Sequence, residues 1–274
     1  MCQSTKAQVF KGLHERNEPL ILANPWDAGS ARLLASLGFE ALATSSAGLA
    51  FSLGVRDTEG LLSREQILEN AKAIVQATEL PVSADLENGF ADSPDAVART
   101  IGLAAEAGLV GGSIEDGAGR KGQTVYDFNH AVERISAAAE AARALAFPFT
   151  LVARAENYSF GIQDLDDTIR RLQAFEKAGA DVLYAPCLPD LQSIKTLCES
   201  VNKPVNVVMG LSGAAYSVAQ LAEVGVRRIS LGSSFARAAL GGLLRAAQEV
   251  REQGTFNFAR DAIAFKAMND LMKG

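Results

Sequence analysis

In the stretch KAGADVLYA, residues 177–185, a charged helical tail stops at Gly179 and an apolar run starts at Val182. Glycine accepts the left-handed backbone that ends a helix, and a short apolar run behind such a stop reads as a buried strand. The same grammar of helix, glycine stop, short loop and strand recurs in EAGLVGGSI at 106–114 and EVGVRRISL at 223–231.

Outward from these three stretches the pattern fills the chain. Strand-like runs fall at Leu20–Asn24, Ala41–Ser45, Pro81–Asp85, Gly111–Glu115, Phe149–Arg154, Asp181–Ala185, Pro204–Met209 and Arg228–Leu231. Between them lie AGSARLLASLG, REQILENAKAIVQATE, SPDAVARTIGLAAEAG, LDDTIRRLQAFEKAGA and AAYSVAQLAEVG, whose apolar residues recur every three or four positions, as on one face of a helix. Ser93-Pro94 supplies an N-cap and a first-turn proline. Strands alternating with helices imply parallel pairing by right-handed crossovers. Eight such units predict an α/β fold of the closed (β/α)₈ barrel type. The rival open, doubly wound sheet loses because no Gly-x-Gly-x-x-Gly fingerprint follows the first strand. No linker or charge block divides the chain, so residues 1–274 are expected to form one domain. Residues 234–274, including a last helix over 256–272, exceed what a barrel requires.

Charged residues make up 21% of the chain and the net charge is −6, which argues against nucleic acid and anionic membranes as partners. No secretory leader or membrane-spanning run is read at the N-terminus, and three cysteines without a CxxC pair suit a reducing compartment. The expected location is the cytoplasm.

In a (β/α)₈ barrel, catalytic groups stand where strands end. Those positions here carry Asn24, then Ser45-Ser46-Ala47-Gly48 with Asp57 further on, then Asp85 and Glu87, Glu115 and Asp116, Arg154 and Glu156, Pro186-Cys187, Asn206, and Gly232-Ser-Ser234. Asp85 and Glu87, two apart on an extended strand, would point to the same side. Three close carboxylates without a cation repel one another, and an all-oxygen set suits Mg²⁺ or Mn²⁺ rather than zinc. Each acid alone could instead cap a helix. Arg154 can pair a substrate carboxylate in a bidentate fork or bridge Glu115 and Glu156. The small residues after Ser45 can form an anion nest, and Ser233 or Ser234 an N-cap. His14 and His130 read as surface residues, and Cys187 as a buried neutral thiol.

NPWDAGSARLLASLGFEALATSSAGLAFSLGVRD from Asn24, the third-strand acids, Ile114-Glu115-Asp116 and Val152-Ala-Arg154 together resemble the isocitrate lyase/phosphoenolpyruvate mutase superfamily. The resemblance runs from about Asn24 to Leu240 in the same order. It implies a barrel whose last helix swaps into a neighbouring subunit of a dimer or tetramer, binding Mg²⁺ and a 2-oxo acid or its enolate. It casts Asp85 as the direct Mg²⁺ ligand, with Glu87 and Glu115 holding the ion's waters. Ser45 becomes the carboxylate-binding serine, the N–H groups of Ser46 and Ala47 the oxyanion cradle, Arg154 the substrate arginine, and Asp57 the gating-loop aspartate.

Departures narrow the subclass. Residues 116–125, DGAGRKGQTV, lack the cysteine and histidine of the lyase motif, and Arg120, Lys121 and Thr124 match the phosphonate-handling members only loosely. At the third strand, DLE stands where the family commonly carries DxD, and Pro186 stands where the lyases carry a glutamate. Three readings remain. One is Mg²⁺-dependent cleavage at the third carbon of an oxaloacetate-like acid, another is phosphorus–carbon chemistry on phosphonopyruvate, and the third is a barrel that binds a 2-oxo acid without turnover.

Overall fold

The computed structural model describes residues 1–57, 60–118, 124–211 and 213–273. Eight parallel strands form the centre: β1 (Leu20–Leu22), β2 (Leu42–Ala43), β3 (Val82–Asp85), β4 (Gly111–Glu115), β5 (Thr150–Arg154), β6 (Val182–Tyr184), β7 (Val205–Val208) and β8 (Arg228–Ser230). They pair in the order β1-β8-β7-β6-β5-β4-β3-β2. The ring closes between its two ends through a bridge of Ala23 to Leu42, with Ala43 N donating to Ala23 O at 3.0 Å. This is the (β/α)₈ barrel that the repeat predicts.

Asn24 completes that closure. Its Oδ1 accepts from Leu231 N at 2.8 Å and Gly232 N at 3.0 Å, and its Nδ2 donates to Thr44 O at 3.0 Å. One buried side chain thus ties the end of β1 to the ends of β8 and β2.

The helices are α1 (Gln3–Glu15), α2 (Ala28–Ser36), α3 (Ser46–Ser52), α4 (Arg64–Gln76), α5 (Pro94–Glu106), α6 (Phe128–Arg143), α7 (Leu165–Ala178), α8 (Leu191–Ser200), α9 (Val218–Glu223), α10 (Ser234–Gln253) and α11 (Phe265–Leu271). Side-chain caps from Asp27, Ser45, Ser63, Ser93, Asp127, Asp164, Asp190 and Ser217 start eight of them, each worth about 1 kcal/mol. Buried alanines such as Ala104, Ala138 and Ala142 let α5 and α6 lie close to one another, with Ile101, Ile135 and Phe175 filling the layer between helices and sheet. Gly179 ends α7 at φ +111°, where any other residue would be strained, and a Cβ there would also displace the exposed Arg143 guanidinium.

The helix α1 covers the end of the barrel where the strands begin, burying Ala7 and Phe10 with Leu20, Leu22, Ala41, Ala43 and Val110. His14 is buried there as well, contrary to its reading as a surface residue, because α1 turns its apolar face and His14 toward the barrel. The C-terminal segment also departs from expectation. Residues 256–272 break into a short 3₁₀ turn, Asn257–Arg260, and α11, rather than one helix. Of α10 only Ala236 is buried, while Leu243 and Leu244 are 66% and 60% exposed and Phe265 of α11 is 87% exposed. Among the described residues no helix is long and apolar enough to cross a membrane.

Candidate active site

The strand ends bring together most of the residues that the sequence singles out. A cavity of about 70 Å³ is lined by Ser45, Asp85, Ser113, Arg154, Tyr184 and Arg228, among others. Arg154, the last residue of β5, stands at its centre. Its Nη1 lies 3.1 Å from Asp85 Oδ1 and 3.4 Å from Glu115 Oε2, while its Nε donates to Glu156 Oε1 at 2.8 Å. The guanidinium also lies over the Tyr184 ring, 4.9 Å from its centroid. Burial opposes the Arg154 charge, but Glu156, Glu115 and Asp85 outweigh it and hold its pKa above the ordinary arginine value.

Asp85 is the most heavily bonded acid. Besides Arg154, it accepts from Ser46 Oγ at 3.1 Å, Glu87 N at 3.2 Å and Ser113 Oγ at 3.4 Å. Its own N–H donates to Thr44 Oγ1 at 3.1 Å, which couples the ends of β2 and β3. Glu87 does not continue the strand alternation expected of it. The strand ends at Asp85, and Glu87 has φ +47°, a left-handed conformation that costs a non-glycine residue strain. Glu87 faces an adjoining cavity of about 400 Å³ formed with Gly60, Ser63, Asn88 and Asp92. Burial, then the charges of Asp85 and Asp57, push its pKa up to about 8. Burial likewise drives Glu115 well above the usual carboxylate range; Arg154 pulls it back, while Glu156, Asp85 and Glu87 add to the rise. Asp57 is half-buried and close enough to act on Glu87.

Ser45 is the N-cap of α3, its Oγ accepting from Gly48 N at 3.1 Å. Because the oxygen accepts in that bond, the hydroxyl proton remains available to a ligand. Ser46 and Ala47 open the helix, where backbone N–H groups lack acceptors within the helix. Gly48 keeps this turn close to the first loop: a side chain there would stand 2.9 Å from the Trp26 Cβ.

Asp116 turns away from the mouth. It accepts from Glu156 N at 2.7 Å and pairs Arg171 at 3.1 Å. Burial lifts its pKa to about 6. The loop after it is tied at its base by Ala118 N donating to Thr124 O at 2.8 Å and by the antiparallel bridge of Gly117 to Val125. Arg120 and Lys121 lie outside the described residues. His130 is half-exposed at the start of α6, 3.9 Å from Glu133. Cys187 is exposed with φ +62°, not buried, because it leaves β6 in a left-handed turn.

Whether these acids fit a divalent cation turns on charge and donor type. Asp85, Glu115 and Glu156 share one arginine, and Glu87 and Asp57 are further acids beside them. All the donors are oxygens. Burial pushes two of the acids toward keeping protons, which a cation would relieve. Among the described residues no three acids already converge as a metal cage. The set therefore fits an ion that takes one or two protein carboxylates and keeps several waters, as Mg²⁺ does.

Sequence reading missed several participants. Arg134 of α6 is fully buried over the Tyr126 ring and donates to the carbonyls of Asn88, Ala91, Asp92 and Glu115, which fixes the loop after β3. Its signal was an arginine on the apolar face of an amphipathic helix. Tyr184 at the end of β6 and Ser113 on β4 also line the cavity and were not singled out.

The phosphoenolpyruvate phosphomutase family model matches residues 10–251. A solved candidate lyase/mutase from Burkholderia cenocepacia J2315 is 54% identical, with a TM-score of 0.96 over 99% of this chain and 97% of its own. The 2-methylisocitrate lyase of Escherichia coli is 28% identical over 75% of this chain and 70% of its length. An oxaloacetate decarboxylase of Pseudomonas fluorescens is also 28% identical, over 80% of this chain and 75% of its own. With the barrel, the shared arginine and the acids at its strand ends, this match places the chain in the phosphoenolpyruvate mutase family of the isocitrate lyase/phosphoenolpyruvate mutase superfamily.

Proposed function

We propose that this protein is an Mg²⁺-dependent enzyme, able to use Mn²⁺, that cleaves the bond at the third carbon of a small oxaloacetate-like 2-oxo acid through an enolate. The observation that carries this reading is one buried arginine shared by Asp85, Glu115 and Glu156, next to a capped helix start at Ser45. Asp85 would hold the ion directly, with Glu87 and Glu115 on its waters. What a bound Mg²⁺ supplies is stabilisation of negative charge developing on the substrate's oxygens.

The chain's own groups do the rest. Arg154 can exchange part of its contact with the acids for the substrate carboxylate, and the Ser45 hydroxyl donates to the same group. The N–H groups of Ser46 and Ala47 face the developing oxyanion, a preorganised donor pair worth about 3 kcal/mol or more. Asp57, set beside Glu87, handles the proton or the water at the departing group. The absence of a cysteine and histidine in 116–125 is what favours decarboxylation or hydrolysis over isocitrate-type cleavage.

A panel of small 2-oxo acids with and without Mg²⁺, followed by NMR against enzyme-free controls, tests this. Enzyme-dependent formation of pyruvate, or of oxalate with acetate, is the expected result. No turnover of any member would refute it. The second reading, phosphorus–carbon chemistry, is favoured by the name of the matching family model and by Arg120 and Lys121. Release of inorganic phosphate from phosphonopyruvate would support it instead.

A further inference from the structure

Arg228 opens β8 with its side chain inside the barrel and only 5% exposed. The cavity that meets Asp85 and Arg154 also reaches Arg228, Asn206 and Ser230. The two arginines differ sharply in company. Arg154 touches three carboxylates, whereas among the described residues no carboxylate pairs with Arg228. Its Nη1 donates to His14 Nε2 at 3.3 Å, and its Nε has no partner. His14 Nδ1 donates to Phe10 O at 2.8 Å, so Nε2 must be the lone-pair nitrogen of a neutral ring. Burial and the Arg228 charge push the His14 pKa down to about 3, and burial pushes Arg228 itself down to about 9.

An isolated buried charge costs several kcal/mol unless something neutralises it. Among the described residues Arg228 meets a neutral imidazole, the face of the Phe10 ring 6.0 Å away and the neutral phenol of Tyr184, and no acid. The 70 Å³ cavity that reaches Arg228 leaves room beside it for a small group beyond water. We infer that Arg228 holds a small anion inside the barrel, below the acid-bearing mouth: a halide or a single carboxylate group. Asn206 Oδ1, an acceptor also without a donor, calls for a water beside that anion. The inference stands independently of the proposed reaction, since it rests on an unpaired cation and not on the acids.

Crystals of the full chain soaked in sodium bromide and measured at the bromine edge test it. An anomalous peak against the Arg228 guanidinium is expected, kept in Arg228→Lys and absent in Arg228→Met. A second soak in sodium oxalate identifies the source. Oxalate at Arg228 in place of bromide assigns the site to carboxylates, and bromide persisting there assigns it to inorganic anions. In solution, sodium bromide should raise the melting temperature by about 2–4 °C over sodium gluconate, whose anion is too bulky to enter, and Arg228→Met should remove the rise. Water alone at Arg228 in both wild-type soaks would overturn the inference, whether or not the Met variant folds. So would an equal rise in wild type and Arg228→Met.

Discussion

Arg154 Nη1 stands 3.1 Å from Asp85 Oδ1, so the guanidinium at the end of β5 reaches across β4 to the acid at the end of β3. The same planar group holds Glu115 and Glu156. A lysine brings the charge but one compact ammonium, and cannot hold Glu156 and Asp85 in that fork. Arg154→Lys is therefore expected to lower kcat/KM about 100-fold, equivalent to about 2.7 kcal/mol, with a melting temperature near wild type. Steady-state kinetics beside a thermal melt checks this. Unchanged kinetics would remove Arg154 from the site.

Asn24 closes the barrel with three hydrogen bonds from one side chain. Asn24→Ala leaves two N–H groups and a carbonyl at the seam without partners. Urea unfolding is expected to show a loss of about 2–4 kcal/mol.

His14 gives a pH dependence with a defined sign. Its pKa falls from the ordinary 6.5 to about 3 on folding, so between those values the unfolded chain binds the extra proton. The stability that His14 contributes is full above pH 6.5 and is lost as pH falls toward 3. At pH 5 the loss is about 2 kcal/mol. His14→Gln should lack this component. Unfolding free energies of both proteins at pH 7 and pH 5 isolate it, because the opposing contribution of Asp116, raised to about 6, is common to the pair.

The exposed apolar residues of α10 and α11 are expected to meet a partner subunit. Leu243, Leu244 and Phe265 are large apolar side chains left mostly in water, the kind of surface that oligomer contacts cover. Light scattering is expected to find a dimer or tetramer, and Leu243→Asp with Leu244→Asp to shift it to monomer. A monomeric wild type would overturn this expectation.

How far the sequence carried this account depended on the range of each signal. The barrel was legible because a glycine stop before an apolar run, as at Gly179 and Val182, is a local signal repeated along the chain. Strand-end acids such as Asp85 and Glu115 were legible because the fold fixes where strand ends must face. The backbone at Glu87 was not legible, since the strand stops at Asp85 and a left-handed residue breaks the alternation. The buried roles of His14, Arg134 and Arg228 depend on contacts 19 to 214 residues away along the chain, which no periodicity records. An isolated arginine in an apolar strand or helix face was the one available hint.

The acids around Asp85 are proposed to hold a divalent ion together with a 2-oxo acid. Crystals soaked in manganese chloride and oxalate, measured at the manganese edge, test it most directly. An anomalous peak against Asp85 is expected, with oxalate beside it and Arg154 turned toward the oxalate. An empty mouth, with Arg154 still on Asp85, Glu115 and Glu156 at saturating manganese, would contradict it.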